Sequence, residues 1–413
     1  MKAKEFNKYY TLLGLYLAQS IPMSFFSTII PLIMREENYS LSSIGFFQLI
    51  KLPWIIKFLW APFVDNTSHS SRHYRRWILA SEIFYAVVIF SIGFLDLQTD
   101  FNTILVLIII ALIASATQDI ATDAFAILIL KQKERSMGNS MQSAGSFIGT
   151  MVGSGIMLIL YDHWYETLGW MHLLFFLAIF VLIALIPVSL FRNHTNKSLK
   201  RSRKNVSPVE FIHFFRQKKI GGHILLLFLF YSSIIGILTM IKPYFIDLGY
   251  EIRDYAIISG IFGTAFGALM AIPAGMYIRR RGVIKSIWLF PVVNLLAATY
   301  FFGLTFTNHH LVLIYVGIAL LWGAYSMSSV FIYTLGMKIV RPGKEGTDFT
   351  IQIVITHLSS IIIAVTSGKV ADALNYQGLF AVEIGMALLV LALIPFIFRK
   401  EFYLGRAQSA DKK

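Results

Sequence analysis

Residues Lys51–Asp65 read KLPWIIKFLWAPFVD, and this stretch decides how the rest of the chain is read. It lies in an apolar segment that begins near Ile44, yet it carries two lysines. Neither Lys51 nor Lys57 has an acidic residue at helical-neighbour spacing, so no local ion pair neutralises either one. A lysine at the centre of a bilayer costs about 2.5–3.5 kcal/mol on insertion scales, so it faces a cavity or a buried partner. The stretch ends in Trp60-Ala61-Pro62 and Asp65, followed by Arg72, Arg75 and Arg76. An apolar helix holding a buried cation, closed by a carboxylate and a basic loop, belongs to a membrane protein.

The whole chain agrees. It has 413 residues, 56% of them hydrophobic and only 14% charged, with a mean hydropathy of +0.67. Soluble proteins carry about 25% charged residues. There is no cysteine, which excludes disulfides, thiolate metal sites and a cysteine nucleophile. The amino end is basic (Lys2, Lys4, Lys8) and leads into an apolar run too long for a signal-peptide core, read as a retained first span.

Hydropathy gives twelve spans, at 9–34, 44–64, 76–96, 102–130, 137–160, 170–191, 221–246, 254–279, 284–305, 310–338, 349–371 and 377–398. The expected architecture is all-α: twelve transmembrane helices in two pseudo-symmetric six-helix halves. The halves are 1–191 and 220–398, joined by a basic linker at 192–219 and followed by a tail at 399–413. Seven segments on one side of this map hold 30 of the 36 lysines and arginines, including Lys200-Arg201-Ser202-Arg203-Lys204 in the linker. The positive-inside rule then puts both termini and the linker in the cytoplasm. It also accounts for the net charge of +14 by lipid topology, with no nucleic-acid partner.

The halves echo each other. Pro31 and Tyr39 recur as Pro243 and Tyr250, and Lys133-Glu134-Arg135 with Gly138 and Gln142 recurs as Lys344-Glu345 with Gly346 and Gln352. Weak internal symmetry of this kind marks duplicated transporter halves. Gly145, Gly149 and Gly153 form a four-residue stripe on the fifth span, and Gly263 and Gly267 form one on the eighth. Such stripes allow close helix approach. Taken singly they read as helix packing; taken together they are expected to mark the interface between halves.

The fourth span holds Gln118-Asp119-Ile120-Ala121-Thr122-Asp123. Asp119 and Asp123 share a helix face, with Gln118 beside them. Two carboxylates on one face repel unless one takes a proton or both meet cations, so these three residues are candidates for proton or substrate coupling. Lys51 and Lys57, with Gln142 and Gln352, are candidates for charge compensation or substrate contact. A static salt bridge pinning the second span to the fourth is the competing reading, weighed for Lys57 with Asp123 and for Lys51 with Asp119. Asp65 sits at a helix carboxyl end, which the macrodipole disfavours, so it is expected to meet a cation such as Arg75 or Arg76 and to serve as a cytoplasmic gate. Glu82 is expected to pair with the same arginine loop, and Phe25 and Phe26 to line a central cavity. The histidines are not spaced as metal ligands, and no phosphate-binding glycine loop is present. No cofactor is expected.

These residues resemble the major facilitator superfamily. Its second-to-third loop pattern, Gly-x-x-x-Asp-Arg-x-Gly-Arg-Arg, is matched by Asp65 and Arg75-Arg76, whereas Trp60-Ala61-Pro62 replaces the glycine entry and the loop is longer. That departure, with Lys57-Phe58-Leu59-Trp60-Ala61-Pro62 and Thr117-Gln118-Asp119-Ile120-Ala121-Thr122-Asp123-Ala124, resembles the branch of peptidoglycan-fragment and acetyl-coenzyme A permeases. The muropeptide permeases of that branch are typically longer by two spans. Arg135-Ser136-Met137-Gly138-Asn139 and Gly346-Thr347-Asp348-Phe349-Thr350 look more like the single-protein siderophore permeases of the rhizobactin and pyochelin type. The resemblance implies a monomeric permease of the bacterial inner membrane that imports an anionic siderophore from the periplasm by proton symport. The alternatives are a permease for muropeptides or another anionic metabolite and a transporter-like ligand sensor. An intramembrane enzyme lacks a nucleophile–base pair on any defined face.

Overall fold

The computed structural model describes residues 3–36, 48–97, 99–164, 169–191, 206–207, 209–217, 220–307 and 310–398, and no strand occurs among them. The basic run of the expected linker and the expected carboxyl tail lie outside the described residues, as do residues 44–47 of the expected second span. Among the described residues nine helices are long and apolar enough to cross a membrane. The longest, Glu345–Ile397, is two helices joined at Asn375, whose φ of 57° breaks the run. With that break, the helix Ser71–Ile92 and the broken segment 48–66, the order of elements is consistent with twelve spans.

The chain divides into two compact units. The first comprises residues 1–131, 144–208 and 342–350; the second comprises 132–143, 209–341 and 351–413.

In the first unit, α1 (Ala3–Glu36) is followed by the second span, which is not the continuous helix that hydropathy suggests. A 3₁₀ turn at Gln48–Lys51, α2 (Leu52–Ile56), a second 3₁₀ turn at Lys57–Leu59 and α3 (Ala61–Asn66) follow one another. Pro53 and Pro62 each fall in the first turn of their short helix, where the missing N–H is tolerated; both would break a longer one. Then come α4 (Ser71–Ile92), α5 (Phe101–Ile129) and α6 (Arg135–Thr150), of which the first unit holds the part from residue 144 onward and the second unit the part before it. A π-helical turn at Met151–Ile156 leads into α7 (Met157–Trp164), and α8 (Gly169–Ala184) and α9 (Ile186–Leu190) complete the unit. Its core joins α1, α4, α5 and α8. Phe25 and Phe26 belong to that core: both are buried, and Phe25 stacks on Trp170 with ring centroids 6.0 Å apart. They are packing residues, not cavity walls.

The glycine stripe of the fifth span is explained inside this unit. A Cβ at Gly145 would stand 2.6 Å from the Leu13 carbonyl oxygen, and one at Gly149 would stand 2.6 Å from Ser20 Cβ. A Cβ at Gly153 would overlap the Ile21 carbonyl oxygen. All three glycines let the fifth span lie against α1 of its own half, which corrects the expectation of an interface between halves. Gly263 in the second unit likewise presses on Trp322 and Ile318 of that same unit.

The second unit runs through α10 (Glu210–Phe215), α11 (Ile220–Leu229), α12 (Ser232–Asp247) and α13 (Ile252–Tyr255). A π-helical stretch at Ala256–Gly263, α14 (Thr264–Arg281), α15 (Val283–Leu304), α16 (Leu311–Ile339) and the greater part of α17 (Glu345–Ile397) follow.

Candidate functional site

The second and fourth spans meet through charge. Lys57 is wholly buried and donates through Nζ to Oδ2 of Asp119, which is also buried. The Lys57 ammonium lies 4.7 Å from the centroid of the Trp54 ring, a cation–π contact. Oδ1 of Asp119 accepts from Gln19 Nε2 at 3.0 Å, and Oδ1 of Asp123 accepts from the Tyr16 hydroxyl at 2.7 Å. Trp60 Nε1 adds a donor to Thr117 Oγ1 at 3.1 Å. The break at Lys57–Leu59 lets the lysine leave the helix line and reach α5. The sequence singles out both residues but sets Lys57 beside Asp123, and the fold pairs it with Asp119 instead. The two donors from α1, Tyr16 and Gln19, were missed, because one glutamine and one tyrosine in an apolar helix carry no spacing signal.

Lys51 is half-buried, and its ammonium has no hydrogen-bond partner among the described residues. Gln118 is fully buried with neither amide atom hydrogen-bonded among the described residues. Gln142 is fully buried in the second unit. In the same unit Gln352 Oε1 accepts from His223 Nε2 at 2.7 Å, and Gln352 Nε2 donates to the Gly336 carbonyl at 3.3 Å. It thereby ties α17 to α11 and α16. Arg135 donates to the Met337 carbonyl at 2.6 Å, and Asn139 to Thr334 Oγ1 at 3.2 Å, so that motif fastens the start of α6 to α16.

Asp65 does not take the partner expected of it. Its Oδ1 accepts from the Tyr74 hydroxyl at 2.5 Å and from the Gly346 N–H at 3.0 Å. Its Oδ2 accepts from the Thr347 N–H at 2.8 Å and the Thr347 hydroxyl at 2.7 Å. The positive pole here is the amino terminus of α17, whose first-turn N–H groups have no partner within the helix and turn to Asp65, and that terminus groups with the first unit. Arg75 spends its donors on the Phe191 and Ser189 carbonyls at 2.8 and 2.9 Å, at the carboxyl end of α9. Arg76 lines a surface cavity with Thr67, His73, Trp77 and Ala80. Glu82 also departs from expectation. Among the described residues it makes no ion pair with the arginine loop; it is wholly buried in α4, and neither carboxyl oxygen has a hydrogen-bond partner among them. It sits close to three turns beyond Ser71, out of reach of Arg72, Arg75 and Arg76.

Residues 12–364 match the family model described as Major Facilitator Superfamily. The chain belongs to this superfamily. Two relatives extend the match along most of the sequence. The Anhydromuropeptide permease of Escherichia coli (strain K12) is 24% identical over 395 residues, 93% of this chain and 78% of the permease. Putative transporter AmpG 3 of Rickettsia typhi is 23% identical over 412 residues, 95% of this chain and 96% of that protein. Among solved structures, the human organic anion transporter MFSD10 aligns with a TM-score of 0.72 at 15% identity, covering 95% of this chain and all of its own. This last likeness shows the fold. The chain is a multi-pass membrane transporter of the major facilitator superfamily for a small-molecule substrate, and not an enzyme.

Proposed function

We propose that this transporter imports anionic muropeptides across a bacterial inner membrane, working as a monomer by alternating access and driven by protons. The observation that carries the cargo is the similarity, over 93% of the chain, to a permease named for anhydromuropeptides. It supports the muropeptide alternative over siderophore import. Asp119, Asp123 and Gln118 form the coupling group, and Lys57 and Lys51 supply positive charge to it. Lys51, half-buried and uncommitted, is the side chain best suited to receive a substrate carboxylate. Gln142 and Gln352, both in the second unit, are the candidate substrate-contacting amides. Asp65 is the cytoplasmic gate, gripping the start of α17, while Arg75 and Arg76 shape its loop. Both termini face the cytoplasm, following the lysine and arginine asymmetry.

The experiment is uptake of a radiolabelled anhydromuropeptide by cells lacking their own permease, with and without this chain and with an uncoupler. Uptake that requires the chain and collapses with the uncoupler is the expected result. Uptake of labelled ferric siderophores but no muropeptide would restore the siderophore reading. Saturable binding of either ligand without flux would make the chain a sensor.

A further inference from the structure

The two carboxylates of the coupling group are already engaged: Asp119 by Lys57 and Gln19, Asp123 by Tyr16. A proton held by either would compete with those donors. Glu82 differs. It lies midway along α4, wholly buried, with both oxygens lacking a hydrogen-bond partner among the described residues. An ionised carboxylate with neither cation nor donor is too costly to bury, so the side chain holds its proton here.

The surroundings of Glu82 are polar and equally idle. Tyr85, one turn along on the same face, is fully buried and lies beside Ser115 of α5. Among the described residues the Tyr85 and Ser115 hydroxyls lie near each other without meeting hydrogen-bond geometry, and the Gln118 amide and the Thr122 hydroxyl further along α5 have no hydrogen-bond partner. Ser115, Gln118 and Thr122 share one face of that helix, offset from the face of Asp119 and Asp123. Among the described residues, the two helices most closely packed on α4 bring Asp119 and Asp123 from α5, both engaged, and His172 near the start of α8. On α4 itself, the arginines, His73 and Tyr74 all lie in the first two turns.

We propose that Glu82 is a further proton-binding carboxyl of the transport cycle, beside the Asp119–Asp123 group, with Tyr85 and Ser115 as the donors that receive its charge when the proton leaves. The proposal rests on the proton-driven reading above. In the step it describes, the Glu82 O–H bond breaks, the proton passes to water on one side of the membrane, and the bonding pair stays on the carboxylate. The Tyr85 and Ser115 hydroxyls then turn to donate to it. Reprotonation from the other side reverses the step.

Infrared spectra of the purified transporter in lipid nanodiscs test the proton without any substrate. A protonated-carboxyl C=O band that titrates with pH in the wild type and is missing in Glu82→Gln is expected. A spectrum unchanged by the substitution overturns the proposal. Transport then tests the role. Glu82→Gln, a neutral isostere, should lose accumulation of labelled anhydromuropeptide against a gradient and keep equilibrium exchange. Accumulation at the wild-type level would refute it. If Glu82→Gln does not reach the membrane, Tyr85→Phe serves: removing a donor to the ionised form should move the pH dependence of uptake to higher pH, and an unmoved profile counts against the proposal. A wild type that accumulates no muropeptide overturns the cargo reading alone, because the infrared titration still decides Glu82.

Discussion

The pair Lys57–Asp119 makes a quantitative prediction. Both side chains are buried, so removing either charge strands the other in the core. Breaking a buried pair from one side costs about 3–5 kcal/mol. Lys57→Met leaves Asp119 with the Gln19 amide, a hydrogen bond to a charged group worth about 1.5–3 kcal/mol. Asp119→Asn leaves Lys57 over the Trp54 ring, worth about 0.5–2 kcal/mol. Both singles should therefore fall near the lower end, about 3 kcal/mol, which is roughly a hundredfold in the folded ratio. The double variant Lys57→Met, Asp119→Leu removes both charges, and apolar replacement of a buried pair is often neutral or better. It should lie within about 1 kcal/mol of wild type, so the cycle reports strong coupling. Reversible unfolding in mixed micelles, followed by tryptophan fluorescence, measures all four proteins. A double variant as unstable as the sum of the singles would refute the charge-pair account. Transport separates stability from function: Asp119→Asn in the membrane should lose pH-gradient-driven accumulation, and normal accumulation would remove Asp119 from the mechanism.

Gly346→Ala should weaken the hold on α17, because a Cβ there would stand 2.8 Å from Asp65 Oδ1 and 3.0 Å from Ile120; faster cysteine labelling of engineered sites near Thr347 reads this out. Gly149→Leu should prevent assembly of α1 against the fifth span, costing about 1–3 kcal/mol or more, visible as loss of monodisperse protein on size exclusion. Gly236→Ala should displace the buried Glu383 carboxyl, which a Cβ would overlap, with a similar overpacking cost in thermal unfolding. His73 is held below the usual histidine value by burial and by the charges of Arg76, His69 and Arg72. Its unfolded form therefore binds a proton more readily, and stability present above pH about 6.5 falls as the pH drops below it. The Tm of His73→Gln should decline less than that of wild type between neutral and mildly acid pH.

The spans, the basic asymmetry and both members of the ion pair could be read from the sequence because they rest on local rules. A helix that must satisfy its own backbone in lipid needs a long apolar run, and a lysine inside one needs a distant acid. Lys57 and Asp119 announce themselves by being charged where charge is costly. What tertiary structure decided is which charge meets which group. Asp65 looked for a cation, and the fold gave it the amino end of α17, whose N–H groups are a partner that no side-chain pattern encodes. The glycines promised close approach but not the helix approached, and only packing identified α1. Glu82 looked like a surface ion pair by its distance in sequence from three arginines. The turn of α4 instead buries it against α5, where neither carboxyl oxygen meets a hydrogen-bond partner among the described residues.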